Sequence, residues 1–153
     1  MTQINDVNDW DRRIIEEFRA NGGNVGGPLA GAPLLLLTTT GAKSGQQRIS
    51  PLAYLSEGGH IYVFAGNRGA PTNPGWCHNL VAHPDVIVEL GAEKFAARAI
   101  VVDSAERDRL GSIQLQKLPG LAALQAKITR KVPAVLLERK KERESPQEKR
   151  SDL

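Results

Sequence analysis

The sequence predicts a mainly β domain with flanking helices, an α+β arrangement built around a small β-barrel. Five or six short apolar segments of strand length are separated by glycine-rich turn signals, and one helical segment is inserted among them. Strands and helices do not alternate along the chain, so a Rossmann sheet is not expected. The length of 153 residues, with 41% apolar and 24% charged residues, is typical of one soluble domain.

The N-terminal part predicts a helix and then an irregular loop. Asn8 or Asp9 can cap a helix whose apolar residues recur at helical spacing, namely Trp10, Ile14, Ile15 and Phe18. The stretch NGGNVGGPLAGAP that follows is rich in glycine and proline. We therefore expect a helix and glycine-rich loop over 1–32, the barrel domain over 33–139, and a charged tail over 140–153.

Three strands are expected next, because the hydrophobic period changes from helical to extended. They are PLLLLTTT, RISPLAYLS and HIYVFAG. Pro51 cannot donate a ladder hydrogen bond, so it predicts an edge strand or a bulge. Glu57, Gly58 and Gly59 form a tight hairpin signal between the second and third strands.

The rest of the chain predicts three helical segments, a hairpin and a final strand. NPGWCHNLVAHP is typical of a short helix, with Pro74 in its first turn and Pro84 beyond its end. DVIVEL and KFAARAIVVD form a hairpin about Gly91, and Ser104 caps a helix that extends to Leu118. LAALQAKI is a second short helical segment, and VPAVLLER is the last strand.

Charge and cysteine content limit the partners and the compartment. The net charge of +3 reflects a basic excess mainly in Arg130, Lys131 and the tail RKKERESPQEKR. Such a mixed-sign tail is typical of a solvated segment but leaves open weak attachment to an anionic membrane or nucleic acid. A nucleic-acid-binding module is disfavoured because only 5% of the residues are aromatic. With Cys77 as the single cysteine, no apolar run of membrane-spanning length and no secretory signal, the cytoplasm is the expected location, with a peripheral position at the inner membrane face as the variant.

Nucleophilic and metal-binding arrangements are poorly supported. His78 and His83 are five positions apart and therefore about 140° apart on a helix, so they are not expected to ligate one metal. Cys77 is adjacent to His78, but neighbouring helical side chains point apart, and a buried structural thiol is expected. No nucleophile elbow and no Walker loop occur, so we expect no metal site.

The loop GAKSGQQR, residues 41–48, can hold an anion. Its two glycines let backbone N–H groups converge, Lys43 supplies a point charge, and Arg48 supplies a bidentate fork. Ser44 and Gln46 add a hydroxyl and an amide. A solvated hairpin loop, polar because loops are polar, remains the alternative.

A second loop, AGNRGAP at 65–71, follows the third strand. Its small residues allow a flat ligand to approach the backbone closely. Trp76, on the helix after this loop, could cover such a ligand, although a core tryptophan is the ordinary alternative.

Together these segments resemble the deazaflavin-dependent nitroreductase and quinone reductase family, whose coenzyme is F420, an 8-hydroxy-5-deazaflavin. The resemblance rests on LLLLTTTGAKSGQQRISPLAYL and YVFAGNRGAPTNPGWCHNLVAHPDVIVELG, and it extends from about Pro33 to Val102. It implies a split β-barrel of the flavin-reductase, FMN-binding type over 33–139 that binds the coenzyme. It also implies hydride transfer from the reduced coenzyme to a quinone, nitroarene or activated enone, by a monomer or homodimer.

The resemblance also assigns roles to individual residues. Positions that hold the anionic end of the coenzyme are Lys43, Ser44, Gln46 and Arg48, and Ser50 and Pro51 continue the site toward the ring. The ring would be lined by Ala65, Gly66 and Asn67, with Trp76 and Asn79 behind them. Tyr54 is the candidate catalytic residue, as a proton donor to the reduced acceptor.

The chain departs from the family pattern in ways that bear on its acceptor. Leu124 stands where the family commonly has a tyrosine, and Gly66 and Asn67 stand where a serine and a lysine are common. The pocket is therefore expected to be more apolar and the acceptor lipophilic. The alternatives are a non-enzymatic deazaflavin carrier, or an FMN- or haem-binding protein on the same barrel.

Overall fold

The computed structural model describes residues 8–27, 30–66, 72–117 and 132–140. Within these ranges the chain forms three helices and seven strands. The helices are α1 (Asp9–Ala20), α2 (Gly75–Ala82) and α3 (Ser104–Lys117). The strands are β1 (Leu34–Thr40), β2 (Gln47–Ala53), β3 (Leu55–Glu57), β4 (His60–Phe64), β5 (Asp85–Leu90), β6 (Glu93–Val101) and β7 (Ala134–Arg139).

The seven strands form one antiparallel sheet that curls into a half-barrel, in the order β2-β1-β5-β6-β7-β4-β3. The two end positions are taken by β2 and β3, which are consecutive in the chain and meet at Tyr54. The chain therefore passes from one edge of the sheet to the other at this residue, and the sheet curls to bring its edges together. The expected mainly β split barrel with flanking helices is confirmed.

The expected second strand, 48–56, differs from the structure for the same reason. It is divided into β2 and β3, because Tyr54, whose N–H donates to Pro33 O, is the last residue in register with the β1 side, and Leu55 already pairs with Tyr62 of β4. This division raises the number of strands from the expected five or six to seven. The edge position predicted from Pro51 is confirmed, since β2 is the first strand in the sheet order. No strand pairs with the free side of β2, so the missing N–H of Pro51 is tolerated there.

The run LLLL in β1 is apolar throughout because both faces of the strand are buried. Leu35 and Leu37 point into the barrel, where they pack with residues such as Val63 and Val88. Leu34 and Leu36 point the other way, against α1. A third cluster lies under α3 and includes Leu55, Tyr62, Phe64 and Leu110. The half-barrel is thus covered on its outer surface by α1 over one part and α3 over another.

The helix ends follow capping rules, with two differences from the sequence-based expectation. Asn8 caps α1 by accepting the N–H of Asp11 at 2.7 Å, as expected. Asp103, not Ser104, caps α3, because its carboxylate accepts the N–H of Glu106 at 2.9 Å. Pro74 is the N-cap of α2 and not part of its first turn. The helix expected over LAALQAKI lies outside the described residues.

The end of α1 is fixed to the β5–β6 hairpin in two ways. Arg19 donates from Nε and one terminal nitrogen to the two carboxylate oxygens of Glu89, at 2.9 and 2.7 Å. Glu89 is 9% exposed, and this interaction raises the pKa of Arg19. Beyond the helix, Gly23 packs against Gly91 so closely that a Cβ on Gly23 would lie 2.6 Å from Gly91 Cα. The N-terminal helix therefore packs onto the same core as the barrel. None of the described helices is both long enough and apolar enough to cross a bilayer.

Candidate functional site

Strand register places loop 41–46 and the first residues after β4, Ala65 and Gly66, at the same rim of the half-barrel. The loop 41–46 follows the end of β1, and β5 runs antiparallel to β1 from the preceding helix α2. The end of β4 reaches the same rim through β7 and β6, since Phe64 lies opposite Ala134, and Val135 lies opposite Val101. Loop 41–46, the end of α2, and residues 65–66 thus lie at one rim of the half-barrel, which we call the rim site.

The loop between β1 and β2 is a closed turn. Gly45 donates its N–H to Gly41 O at 3.0 Å, and Gly41 donates back to Gln46 O at 2.8 Å. Ser44 Oγ accepts the N–H of Gln46 at 3.1 Å. Gly45 has a φ of +72°, which an L-residue adopts only with strain, and a Cβ on Gly41 would lie 2.5 Å from Ser44 Oγ. Both glycines are therefore required by the turn itself.

This turn leaves two backbone donors directed outward. The bond from Gly45 to Gly41 gives residues 42–44 the shape of one helical turn, in which the N–H groups point in a similar direction. Among the described residues, the N–H groups of Lys43 and Ser44 have no partner, and the Lys43 side chain forms no ion pair. Both residues are exposed. Two adjacent N–H groups beside an ammonium form a cradle for an oxyanion.

Asn79 connects this cradle to α2. Its Oδ1 accepts the N–H of Ala42 at 3.0 Å, and its Nδ2 donates to Thr39 Oγ1 at 3.2 Å. Thr39 is 1% exposed, so the threonine hydroxyl is a fixed point of the barrel wall. Sequence reasoning placed Asn79 behind the ring and missed Thr39 and Ala42. No local signal links these residues, because they are 37 to 40 positions from Asn79.

The register of β2 separates the residues predicted to continue the site. Arg48 lies opposite Thr39, and Ser50 lies opposite Leu37, so both belong to the face that points into the barrel. Pro51 lies opposite Leu36, whose side chain packs against α1. Adjacent residues of a strand point to opposite faces, and the side chain of Pro51 therefore faces away from Arg48 and Ser50.

The two aromatic candidates both pack against the barrel interior. Trp76 and Tyr54 are half-buried against the cluster that contains Leu35, Val63 and Leu80. Trp76 lies on α2 at the rim. Tyr54 lies near the start of β1, six positions after Arg48, which corresponds to about 20 Å along an extended strand. Tyr62, the second tyrosine, faces α3 and not the barrel interior.

The first two residues after β4 are small and buried. Ala65 donates its N–H to Pro133 O at 2.9 Å, and both Ala65 and Gly66 are buried. Asn67 and the rest of its loop, through Pro71, lie outside the described residues, as does Leu124. Their predicted roles stay predictions. The described parts of the chain also contain no cluster of side chains able to hold a metal ion.

The donor set at the rim fits a coenzyme with an anionic tail. The Lys43 ammonium, two outward N–H groups and the Ser44 hydroxyl are all donors, and Arg48 lies on the adjoining strand. No carboxylate occurs between residues 38 and 56 to oppose a bound anion.

Comparison with known proteins agrees with this chemistry. The model of the F420H2-dependent quinone reductase family matches residues 10–139. An F420H2-dependent quinone reductase of Mycobacterium tuberculosis is 36% identical over 127 residues, which cover 80% of this chain and 85% of that protein.

Two solved structures resemble most of the fold. The structure of an F420H2-dependent reductase, FDR-A, has a TM-score of 0.62 and 34% identity, and the match covers 69% of this chain and 94% of that one. A structure described as a domain-swapped dimer has a TM-score of 0.65 and 32% identity, with coverage of 85% and 98%. The family match extends from α1 through β7 and includes the rim site. This chain therefore belongs to the F420H2-dependent quinone reductase family.

Proposed function

We propose that this protein binds reduced coenzyme F420 at the rim site and transfers a hydride from it to a small lipophilic acceptor, with a quinone as the first candidate. The observation that carries the proposal is the closed turn 41–46, which directs two N–H groups and Lys43 outward in a chain of this family. Nitroarenes and activated enones are further candidate acceptors.

The chain's own residues would bind and orient the coenzyme. Lys43, the N–H groups of Lys43 and Ser44, and Arg48 would hold the phosphate and carboxylates of the tail. Gln46 would add its exposed amide, and Ser50 its hydroxyl, on the path toward the ring. The bound deazaflavin would supply a two-electron hydride donor, so the protein needs no metal and no nucleophile of its own.

Orientation and exclusion of water remain as the protein's catalytic tasks. Ala65 and Gly66 offer a small, buried backbone surface for a flat ring, and Trp76 and the apolar barrel residues form the neighbouring wall. Asn67 is assigned to the same wall on the family resemblance. A wall with few polar groups favours a lipophilic acceptor.

The cytoplasm is proposed as the location. A monomer or homodimer is proposed as the assembly, and the similarity to a structure described as a domain-swapped dimer supports the homodimer. Weak peripheral attachment to a membrane rests on the charged tail, which apart from Lys140 lies outside the described residues.

The decisive test is titration of the purified protein with F420, followed by the fluorescence of the deazaflavin. We expect saturable binding at micromolar coenzyme, and oxidation of the reduced coenzyme when a lipophilic quinone is added. Absence of binding at this concentration would refute the proposal.

The same experiment distinguishes the proposed reductase from a coenzyme carrier and from a flavin- or haem-binding protein. Binding without oxidation by any of a quinone, a nitroarene or an enone would support a coenzyme carrier instead of an enzyme. A preparation that is yellow or red as purified would support a flavin or haem on the same barrel.

A further inference from the structure

The side chain of Asn79 bonds within the protein, through an exposed contact with the turn and a part-buried contact with the barrel wall. Oδ1 is engaged by Ala42 N–H, and Nδ2 by Thr39 Oγ1, at 3.0 and 3.2 Å. The contact with Thr39 is part-buried, and Thr39 itself is 1% exposed. The carboxamide is therefore a bridge between the barrel wall and the turn.

The bridge determines which donors the turn offers. A helical turn has its first N–H groups unpaired and directed the same way, here those of Ala42, Lys43 and Ser44. Asn79 takes the first of the three. The two that remain are adjacent, as required to bind one oxyanion, and the turn cannot swing on its ends without breaking the Ala42 contact.

Asn79 lies on α2, the helix that also carries Trp76. Asn79 and Trp76 are three positions apart, so they lie on the same side of the helix. Trp76 packs against the barrel interior, and Leu80, next to Asn79, is 1% exposed in the same cluster. The helix that presents Asn79 is thus itself anchored in the core.

We infer that Asn79 is a positioning residue: it holds the turn 41–46 in the conformation that binds the anionic tail of the coenzyme, acting through Ala42 and Thr39 and without contacting the deazaflavin ring. The inference rests on the proposed function, since it names how that site is kept in shape. It separates the contribution of Asn79 from that of the residues that touch the ligand.

The test compares two ligands on Asn79→Ala. One is F420, and the other is a deazaflavin with the same ring and ribityl chain but without the phosphate and glutamates. We expect about tenfold weaker binding of F420, in line with the loss of one or two hydrogen bonds that order the turn, and unchanged binding of the tail-less compound. Equal weakening of both ligands would contradict the inference, because it would mean that Asn79 acts at the ring.

The matched control is Val81→Ala, a truncation on the same helix at a side chain that is 66% exposed. It should leave both affinities unchanged. Thr39→Val removes the other end of the bridge with little change of volume, and we expect a smaller loss of F420 affinity. Asn79→Ala and Thr39→Val break the same bridge. The loss of F420 affinity in the variant that carries both substitutions should therefore be smaller than the sum of the two single losses. Additive effects would contradict a shared bridge.

The bridge can also be tested in the protein without coenzyme. Hydrogen exchange followed by NMR reports the Ala42 amide directly, and we expect its protection to fall in Asn79→Ala while amides of β5 and β6 keep theirs. Unchanged protection of Ala42 would overturn the inference. If the wild-type protein binds neither ligand, the proposed function fails while this exchange result still tests the bridge.

Discussion

The contact between Gly23 and Gly91 yields a quantitative prediction for the stability of the fold. The perturbation is Gly23→Ala, with Gly22→Ala as its matched control. Both glycines have positive φ, +98° and +62°. A Cβ on Gly22 would meet nothing within 4 Å, whereas a Cβ on Gly23 would lie 2.6, 3.0 and 3.2 Å from Gly91 Cα, N and C.

The two variants therefore differ in the steric clash with the Gly91 backbone, which only Gly23→Ala introduces. In the left-handed region a non-glycine residue costs about 1–2 kcal/mol, and this cost applies to both. Gly23→Ala must also displace backbone atoms of Gly91, which cannot rotate away as a flexible side chain would. Overpacking of this kind adds about 1–3 kcal/mol. We expect the free energy of unfolding to fall by about 1–2 kcal/mol in Gly22→Ala and by about 2–5 kcal/mol in Gly23→Ala.

Urea denaturation followed by tryptophan fluorescence measures both values. For a chain of this length, each kcal/mol corresponds to a Tm shift of about 2–4 °C, so thermal melting gives a second reading. Gly91→Ala is a further control, because a Cβ there has Gly22 O at 3.9 Å as its nearest neighbour. Equal destabilisation by Gly22→Ala and Gly23→Ala would refute the close packing of the two loops.

Three further predictions concern the site and the pH dependence. Lys43→Ala should weaken F420 binding by about 1–3 kcal/mol, an effect that salt reduces. Lys94→Ala removes the same charge near the opposite end of the sheet and should leave the affinity unchanged; equal losses would indicate a net-charge effect. Burial first, and then the charge of Glu106, raises the pKa of Tyr62 above its ordinary value of 10.0. The folded state therefore favours the neutral phenol of Tyr62. The contribution of this phenol to the free energy of unfolding is complete below pH 10.0 and is lost as the pH rises through the raised pKa. Denaturation midpoints across this range should decline less steeply in Tyr62→Phe, and an identical decline would refute the assignment. Tyr54→Phe should lower kcat by about 100-fold with unchanged F420 affinity if Tyr54 donates a proton, and an unchanged kcat would remove it from that role.

Local patterns in the sequence were sufficient for most of the secondary structure. Periodicity and turn residues identified α1, α2, α3 and the strands, because hydrophobic spacing and glycine or proline positions act within a few residues of each other. Pro51 correctly indicated an edge strand, since a missing N–H is tolerated only there. The motif order also identified the family, whose model matches residues 10–139.

Alternation along β2 bears on one part of the predicted site. Ser50 and Pro51 are adjacent in a strand, and that alone places their side chains on opposite faces. Which face looks into the barrel, however, depends on the pairing of β2 with β1, where Ser50 meets Leu37 and Pro51 meets Leu36.

What the sequence determined by itself is most of the elements and the family, and it singled out loop 41–48 as the candidate anion site. Only the tertiary structure decided how distant segments meet: the chain passes between sheet edges at Tyr54, Gly23 contacts Gly91, and Asn79 engages Ala42 and Thr39. The physical reason is that these contacts join residues 37 to 68 positions apart or arise from closure of the sheet. Their geometry depends on strand register and helix docking, which no single stretch of sequence contains.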